Sequence, residues 1–230
     1  MPKQPLVAPS PAPTQLPTLP EQIAAHLTDA VLRGDYAPGE AILESRVAAS
    51  FAVSRAPVRE ALRILERDGV VVVAPRKGAR VTRLSRTEVT EIYDVRAHLF
   101  GLAAGRFAER CPDAVIEAMD RKLAALAAGA SAGDDPAEFH SRMSAELAVL
   151  LTGACGNAKL AALVHHMARQ VTRYTYLGLS TPERRAQSIA NWRGLLRAAR
   201  AGDGTAAAQT ARWMVEQTCA QAIAALGEDG

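Results

Sequence analysis

No apolar run of the roughly 18 residues that a membrane-crossing helix needs occurs in this 230-residue chain, and its proline-broken N-terminus lacks the apolar stretch of a secretory signal. Cysteine is scarce: Cys111, Cys155 and Cys219 are far apart and odd in number. That excludes a disulfide framework and a zinc ribbon, and it fits a reducing compartment in which each thiol is a small buried apolar residue. There is no glycine-rich phosphate loop, no nucleophile and base at a motif spacing, and no clustered set of metal ligands. These absences weigh against an enzyme or carrier of small molecules and against a membrane partner. They leave a cytoplasmic protein whose work is binding.

What is present is enough apolar material, 49% of the residues, for a sizeable core in each of two ordinary domains. The net charge of +3 is modest but uneven. Residues 1–84 carry 11 Lys and Arg against 8 Asp and Glu, whereas residues 85–230 carry 16 of each kind. Within residues 46–83 the count is nine against three, so the positive charge is local, as the electrostatic footprint of a nucleic-acid-binding head is.

That footprint centres on residues 53–69. Ser54 stands where it can cap a helix whose first turn tolerates Pro57, and Gly69 stops it. Val58, Ala61, Leu62 and Leu65 recur at helical spacing and predict one buried face. Arg55, Arg59, Arg63 and Arg67 recur every fourth residue and form a drifting stripe along another. A charge run is commonly no more than a solvated helix face. Here its flanks speak for more. Residues 44–51 read as a short helix joined to the arginine helix by Ala52, Val53 and Ser54, the helix-turn-helix arrangement. Residues 70–74 and 79–83 read as two strands around a turn of Pro75, Arg76, Lys77 and Gly78, a wing with a basic tip.

With these three spaced motifs in order, and with Gly34-Asp35-Tyr36-Ala37-Pro38-Gly39 after a first helix over 19–33, the sequence resembles the GntR superfamily of winged-helix regulators. It is similar to the FadR-like branch, whose C-terminal half is an all-helical FCD domain. Residues 1–18, with Pro2, Pro5, Pro9, Pro11, Pro13 and Pro17 and little to bury, read as a flexible tail, the alternative being a partner-binding proline motif. The resemblance implies a mainly α protein: a winged helix-turn-helix domain over 19–84 and an antiparallel helical bundle over 85–230. Ile23, Leu27, Ala30 and Val31 would form the buried stripe of the first helix, and His26 and Asp29 its surface. Of the three places where family arginines contact DNA, two match Arg55 and Arg59. The third is Ser45, with Arg46 beside it. Arg55 at the helix start suits the bidentate reading of guanine, Arg59 base or phosphate, and Ser45 phosphate. Arg76 and Lys77, with Gly78 allowing close approach, suit the minor groove or the sugar-phosphate chain.

From Leu84 onward the pattern changes to helices with alanine-rich faces, placed at 86–110, 112–129, 135–153, 156–178, 182–202 and 204–226. Many FCD domains hold a divalent metal with one Asp and three His. The matching positions here are Ser144, Ala148, Trp192 and, near the last, Met214. Indole and thioether are poor partners for the ions an Asp/His site selects, so a pocket without metal or other cofactor is expected. Asp135 and His140 imitate the first ligand pair, but at a spacing of five rather than four. Adjacent His165 and His166 cannot face one point from a helix.

What remains for an effector is Arg96, which matches a family arginine, with Arg169, Arg173, Tyr174, Trp192 and Met214. An arginine in an apolar cavity favours a carboxylate or phosphate. The alternative for Arg96 is a pair with a neighbouring acid. The family acid that follows it is Phe100 here, so the cavity is either larger and more apolar or no longer binds anything. The function expected is that of a homodimeric, sequence-specific transcription regulator, a repressor of a near-palindromic double-stranded DNA operator, modulated by a small organic acid. The alternative is a ligand-independent regulator or architectural DNA binder with a vestigial pocket.

Overall fold

The computed structural model of the chain describes residues 16–74, 78–129 and 135–226. Residues 1–15 of the expected tail, and Pro75, Arg76 and Lys77 at the expected wing tip, lie outside the described residues.

The first helix, α1 (Leu19–Arg33), begins at Thr18, whose backbone N–H and hydroxyl donate to the Glu21 carboxylate at 2.7 and 2.8 Å. A Thr-x-x-Glu sequence ties its own first turn in this way. Ile23, Leu27, Ala30 and Val31 are buried along it, and Gly34 ends it in the left-handed region at φ +84°. Next come β1 (Ala41–Ile42), α2 (Glu44–Ser50), α3 (Arg55–Arg67), β2 (Val71–Ala74) and β3 (Gly78–Val81). The sheet is antiparallel in the order β1-β3-β2, with Ile42 and Val73 opposite Ala79 from either side. The two longer strands answer to the wing read in the sequence. β1 does not, because two residues offer no alternation to read. Val58, Ala61, Leu62 and Leu65 of α3 are buried against α1 and the wing valines Val71 and Val81.

Seven helices follow among the described residues, where the sequence suggested six: α4 (Arg86–Arg110), α5 (Asp113–Ala128), α6 (Pro136–Ala154), α7 (Ala158–Gln170), α8 (Thr172–Gly178), α9 (Pro182–Arg200) and α10 (Gly204–Ala225). α4 runs through the bundle and packs most extensively on α10. Small residues permit this. A Cβ on Gly105 would stand 3.1 Å from the Gly204 carbonyl oxygen, and Ala207 and Ala211 are buried in the same seam.

The helix expected over 156–178 is two helices, broken at Val171 with φ −110° and ψ 19°. The Thr172 hydroxyl donates to the carbonyls of Ala168 and Arg169 at 3.2 and 2.9 Å. Two adjacent β-branched residues, one of them competing for the helix's own acceptors, explain the interruption. The break carries the joint between the two units. Arg169 pairs with Asp68 at the C-terminal end of α3, and the Tyr174 hydroxyl meets both the N–H and the carbonyl of Leu84 at 3.1 and 3.3 Å. Gly69, at φ +74°, leaves room that a Cβ would lose to Gln170 Cγ, 2.7 Å away. Among the described residues, no helix is long and apolar enough to cross a membrane.

Candidate functional site

Two sites stand out, one on each unit. On the first, α3 turns its apolar face inward and leaves Arg55, Arg59, Arg63 and Arg67 exposed in one stripe. Arg55, the first residue of the helix, has no ion-pair partner among the described residues. Arg59 Nε lies 2.9 Å from Glu44 Oε2 across the helix-turn-helix, with 62% of its side chain still exposed. Ser54 occupies the capping position with extended backbone, but its side chain makes no cap hydrogen bond, so the expected cap is positional only and the hydroxyl stays exposed.

Ser45 is exposed beside Glu44. Arg46, one residue further and turned by about 200° from Glu44, instead lines a groove with His26, Asp35, Tyr36 and Glu40 on the α1 side. The structure therefore does not bring Arg46 together with Arg55 and Arg59. Gly78 opens β3 at φ +75° with open space where a side chain would be. Arg76 and Lys77 fall outside the described residues. Arg80, on the outward side of β3, donates to the Gly39 carbonyl at 3.0 Å and adds a cation to the wing that the sequence showed only as part of a strand.

The second site is a cavity of about 270 Å³ inside the helical unit. Of the residues proposed for an effector, Arg96, Arg169, Trp192 and Met214 line it, whereas Arg173 and Tyr174 do not. In an unbroken helix Arg169 and Arg173 would share a face. The break at Val171 sends Thr172, Thr175 and Leu179 to the cavity and turns Arg173 and Tyr174 toward α1 and the wing. Sequence reasoning missed Arg184 and Asn191. With Ser188 and Trp192 they recur along α9 at helical spacing, a polar stripe that periodicity could have found.

The chemistry of the wall is one-sided. Among the described residues Arg96, Arg169 and Arg184 line it and no Asp or Glu does, and Arg96 Nε, Arg184 Nε, Ser144 Oγ, Asn191 Nδ2 and Trp192 Nε1 are buried with no hydrogen-bond partner among them. Burial pushes both the Arg96 and the Arg184 guanidinium below their ordinary pKa. Arg96 lies over the Tyr93 ring at 5.4 Å and has no carboxylate partner among the described residues. Burial also raises the Tyr93 hydroxyl to about 12. His165, which meets the Thr152 hydroxyl at 2.7 Å, is held below its usual pKa by burial and then by Arg169. Phe100 and Trp192 meet edge to face at 6.2 Å and close one side.

The four positions that the resemblance gives to metal ligands, Ser144, Ala148, Trp192 and Met214, all face this cavity. A hydroxyl, a methyl, an indole and a thioether do not fit the ion, and among the described residues no three His, Cys, Asp or Glu side chains gather where they could hold one. Asp135 is committed elsewhere. It caps α6 by accepting from Ala137 and Glu138 N–H and takes the Tyr176 hydroxyl at 2.8 Å.

Comparison with known proteins bears on both units. Residues 19–81 match the gntR family of bacterial regulatory proteins, and residues 91–217 match the FCD domain. The HTH-type transcriptional regulator YdhC of Bacillus subtilis is 29% identical over 168 residues, 73% of this chain and 74% of that one. The gluconate operon transcriptional repressor of Bacillus licheniformis is 40% identical over 75 residues, 33% of this chain and 30% of the repressor. Among solved structures, Escherichia coli McbR/YncC superposes with a TM-score of 0.71 over 89% of this chain and 97% of its own, at 18% identity, a likeness of fold.

Proposed function

The chain belongs to the gntR family of bacterial regulatory proteins with an FCD domain, and from that premise we propose that it is a homodimeric repressor governed by a small organic acid. It is a DNA-binding transcription regulator and not an enzyme. In the proposal, residues 19–84 read the operator, residues 85–230 couple two copies and hold the effector, and the protein works in the cytoplasm.

The observation that carries the DNA-reading half is the exposed arginine stripe of α3, with Arg55, which has no ion-pair partner among the described residues, at the end that enters a major groove first. Ser45, Ser54, Arg59, Gly78 and the wing residues Arg76 and Lys77 complete the proposed contacts. One such head buries too little surface for specific affinity, which is the argument for two heads on a near-palindromic site. Val95 and Leu102, seven residues apart on α4, and Leu163 on the adjoining α7 are about half exposed and offer apolar surface for a second copy. A relative named as a repressor, similar over a third of this chain, supports repression.

For the effector, the unpaired donors around Arg96 are the support. Desolvated donors without acceptors cost free energy, and an acceptor-rich anion in the cavity would remove that cost. The effector acts by binding the DNA-competent and incompetent head spacings unequally. Selection of bound fragments from genomic DNA, followed by footprinting, tests the whole. Paired half-sites protected by a dimer are expected. Equal protection of any sequence would favour an architectural binder with a vestigial pocket.

A further inference from the structure

Arg169 stands in two places at once. On the last turn of α7 it lines the cavity, and its Nε lies 2.7 Å from Asp68 Oδ1 at the end of the recognition helix. Thr172, across the break at Val171, likewise faces both the cavity and the groove between the units. The Asp68 side chain is only 16% exposed and the Arg169 side chain 45%, so the carboxylate is the shielded half of the pair, held by a short charge–charge distance and not by a well-directed hydrogen bond. An acid at a helix C-terminus faces the negative end of the helix dipole and needs a cation to hold it there. Arg67 is the other cation within reach, at 3.9 Å.

We propose that the cavity and Asp68 compete for the Arg169 guanidinium, so that an anion in the cavity loosens the hold of the helical unit on the recognition helix. This rests on the reading of the cavity as an anion site. One guanidinium carries one charge. An anion on its cavity side neutralises part of what Asp68 feels and repels the Asp68 carboxylate through the same short path. Asp68 is then left less well paired at the negative end of α3, beside Gly69, whose close approach to Gln170 is a neighbouring part of the same joint. Coupling of this kind is reciprocal: whatever frees Arg169 from Asp68 makes the cavity more attractive to anions.

Reciprocity gives a test that needs no knowledge of the natural effector. Trp192 and Trp213 are the only tryptophans in the chain, and Trp213 does not line the cavity. In full-length Trp213→Phe protein, Trp192 fluorescence is quenched with iodide, an anionic probe, at constant ionic strength in chloride, and in parallel with neutral acrylamide. Asp68→Asn in this background is expected to raise the iodide quenching constant about twofold or more, with acrylamide quenching unchanged. Arg169→Gln is expected to lower iodide quenching and to erase the effect of Asp68→Asn in the double variant. If iodide quenching responds to Arg184→Gln but not to Asp68→Asn, the cavity still attracts anions and the sharing of Arg169 is overturned. If it responds to neither, the anion-site reading fails and the sharing fails with it.

Discussion

Arg59 Nε lies 2.9 Å from Glu44 Oε2, so the recognition helix is tied to the helix before it by a side chain that also faces the solvent where DNA would lie. An exposed pair of this kind is worth about 0–1 kcal/mol, less than a charge-assisted contact to a base or phosphate, so Arg59 is oriented by Glu44 rather than sequestered by it. Arg55→Ala and Arg59→Ala are each expected to weaken operator binding by about 1–3 kcal/mol. Binding isotherms on the selected operator at moderate salt check this, and variants that bind as well as the wild type would remove α3 from the reading role.

Ala52, in the turn between the two helices of the helix-turn-helix, has φ +53°. The left-handed region costs a residue with a Cβ about 1–2 kcal/mol, whereas glycine loses about 0.5–1 kcal/mol more backbone entropy on folding than alanine. The first outweighs the second, so Ala52→Gly is expected to stabilise the protein by up to about 1 kcal/mol. Denaturant unfolding reads the change directly, and a loss of stability would show that the turn is unstrained.

How far the sequence could be read follows from which signals are local. The recognition helix was legible because its stop, apolar face and arginine spacing all lie within seventeen residues, 53–69. α4 was legible over 86–110 from the change of pattern after Leu84; the reciprocal cap of Ser85 and Glu88 at 3.2 and 2.8 Å is a further start signal, found in the structure. The break at Val171 was not legible, since the apolar spacing from Leu160 through Val164 to Val171 and Tyr174 continues smoothly across it. In an unbroken helix Arg173 would share a face with Arg169, whereas in the actual fold Arg173 and Tyr174 both serve the joint with the head. Arg46 is next to Ser45 in sequence, but helix rotation turns it to the α1 side of α2. The donors of the cavity, contributed by α4, α6 and α9, are brought together only by the tertiary fold.

Arg96 is half-buried, with its Nε buried without a hydrogen-bond partner and no carboxylate paired with it among the described residues, and an apolar side chain of similar length removes the cost of desolvating that charge. Arg96→Met is therefore expected to leave the melting temperature of the ligand-free protein unchanged or higher, while removing the rise that an organic acid produces in the wild type. That rise corresponds to about 2.7 kcal/mol when the ligand is at a hundred times its Kd. Thermal unfolding against a panel of mono- and dicarboxylates checks both halves. Chelator is expected to change neither, and elemental analysis showing stoichiometric zinc, nickel or manganese would overturn the metal-free reading.

His140 is buried on α6 with Nε2 unpaired, and its pKa is lowered from 6.5 to about 4, first by burial and then by the charges of Arg185 and Arg184. The unfolded chain takes up a proton as the pH falls through 6.5, while the folded chain does not until about 4. Between those limits the unfolded state binds more protons, so stability is lost on acidification, by on the order of 3 kcal/mol across the window, and is unaffected by this residue above it. His140→Gln, which cannot take up that proton, is expected to flatten the slope of unfolding free energy against pH in this range, whatever it does to the absolute stability. Urea unfolding of both proteins at a series of pH values measures the two slopes. Equal slopes would mean that His140 titrates alike in the folded and unfolded chain, and that the acid sensitivity arises elsewhere.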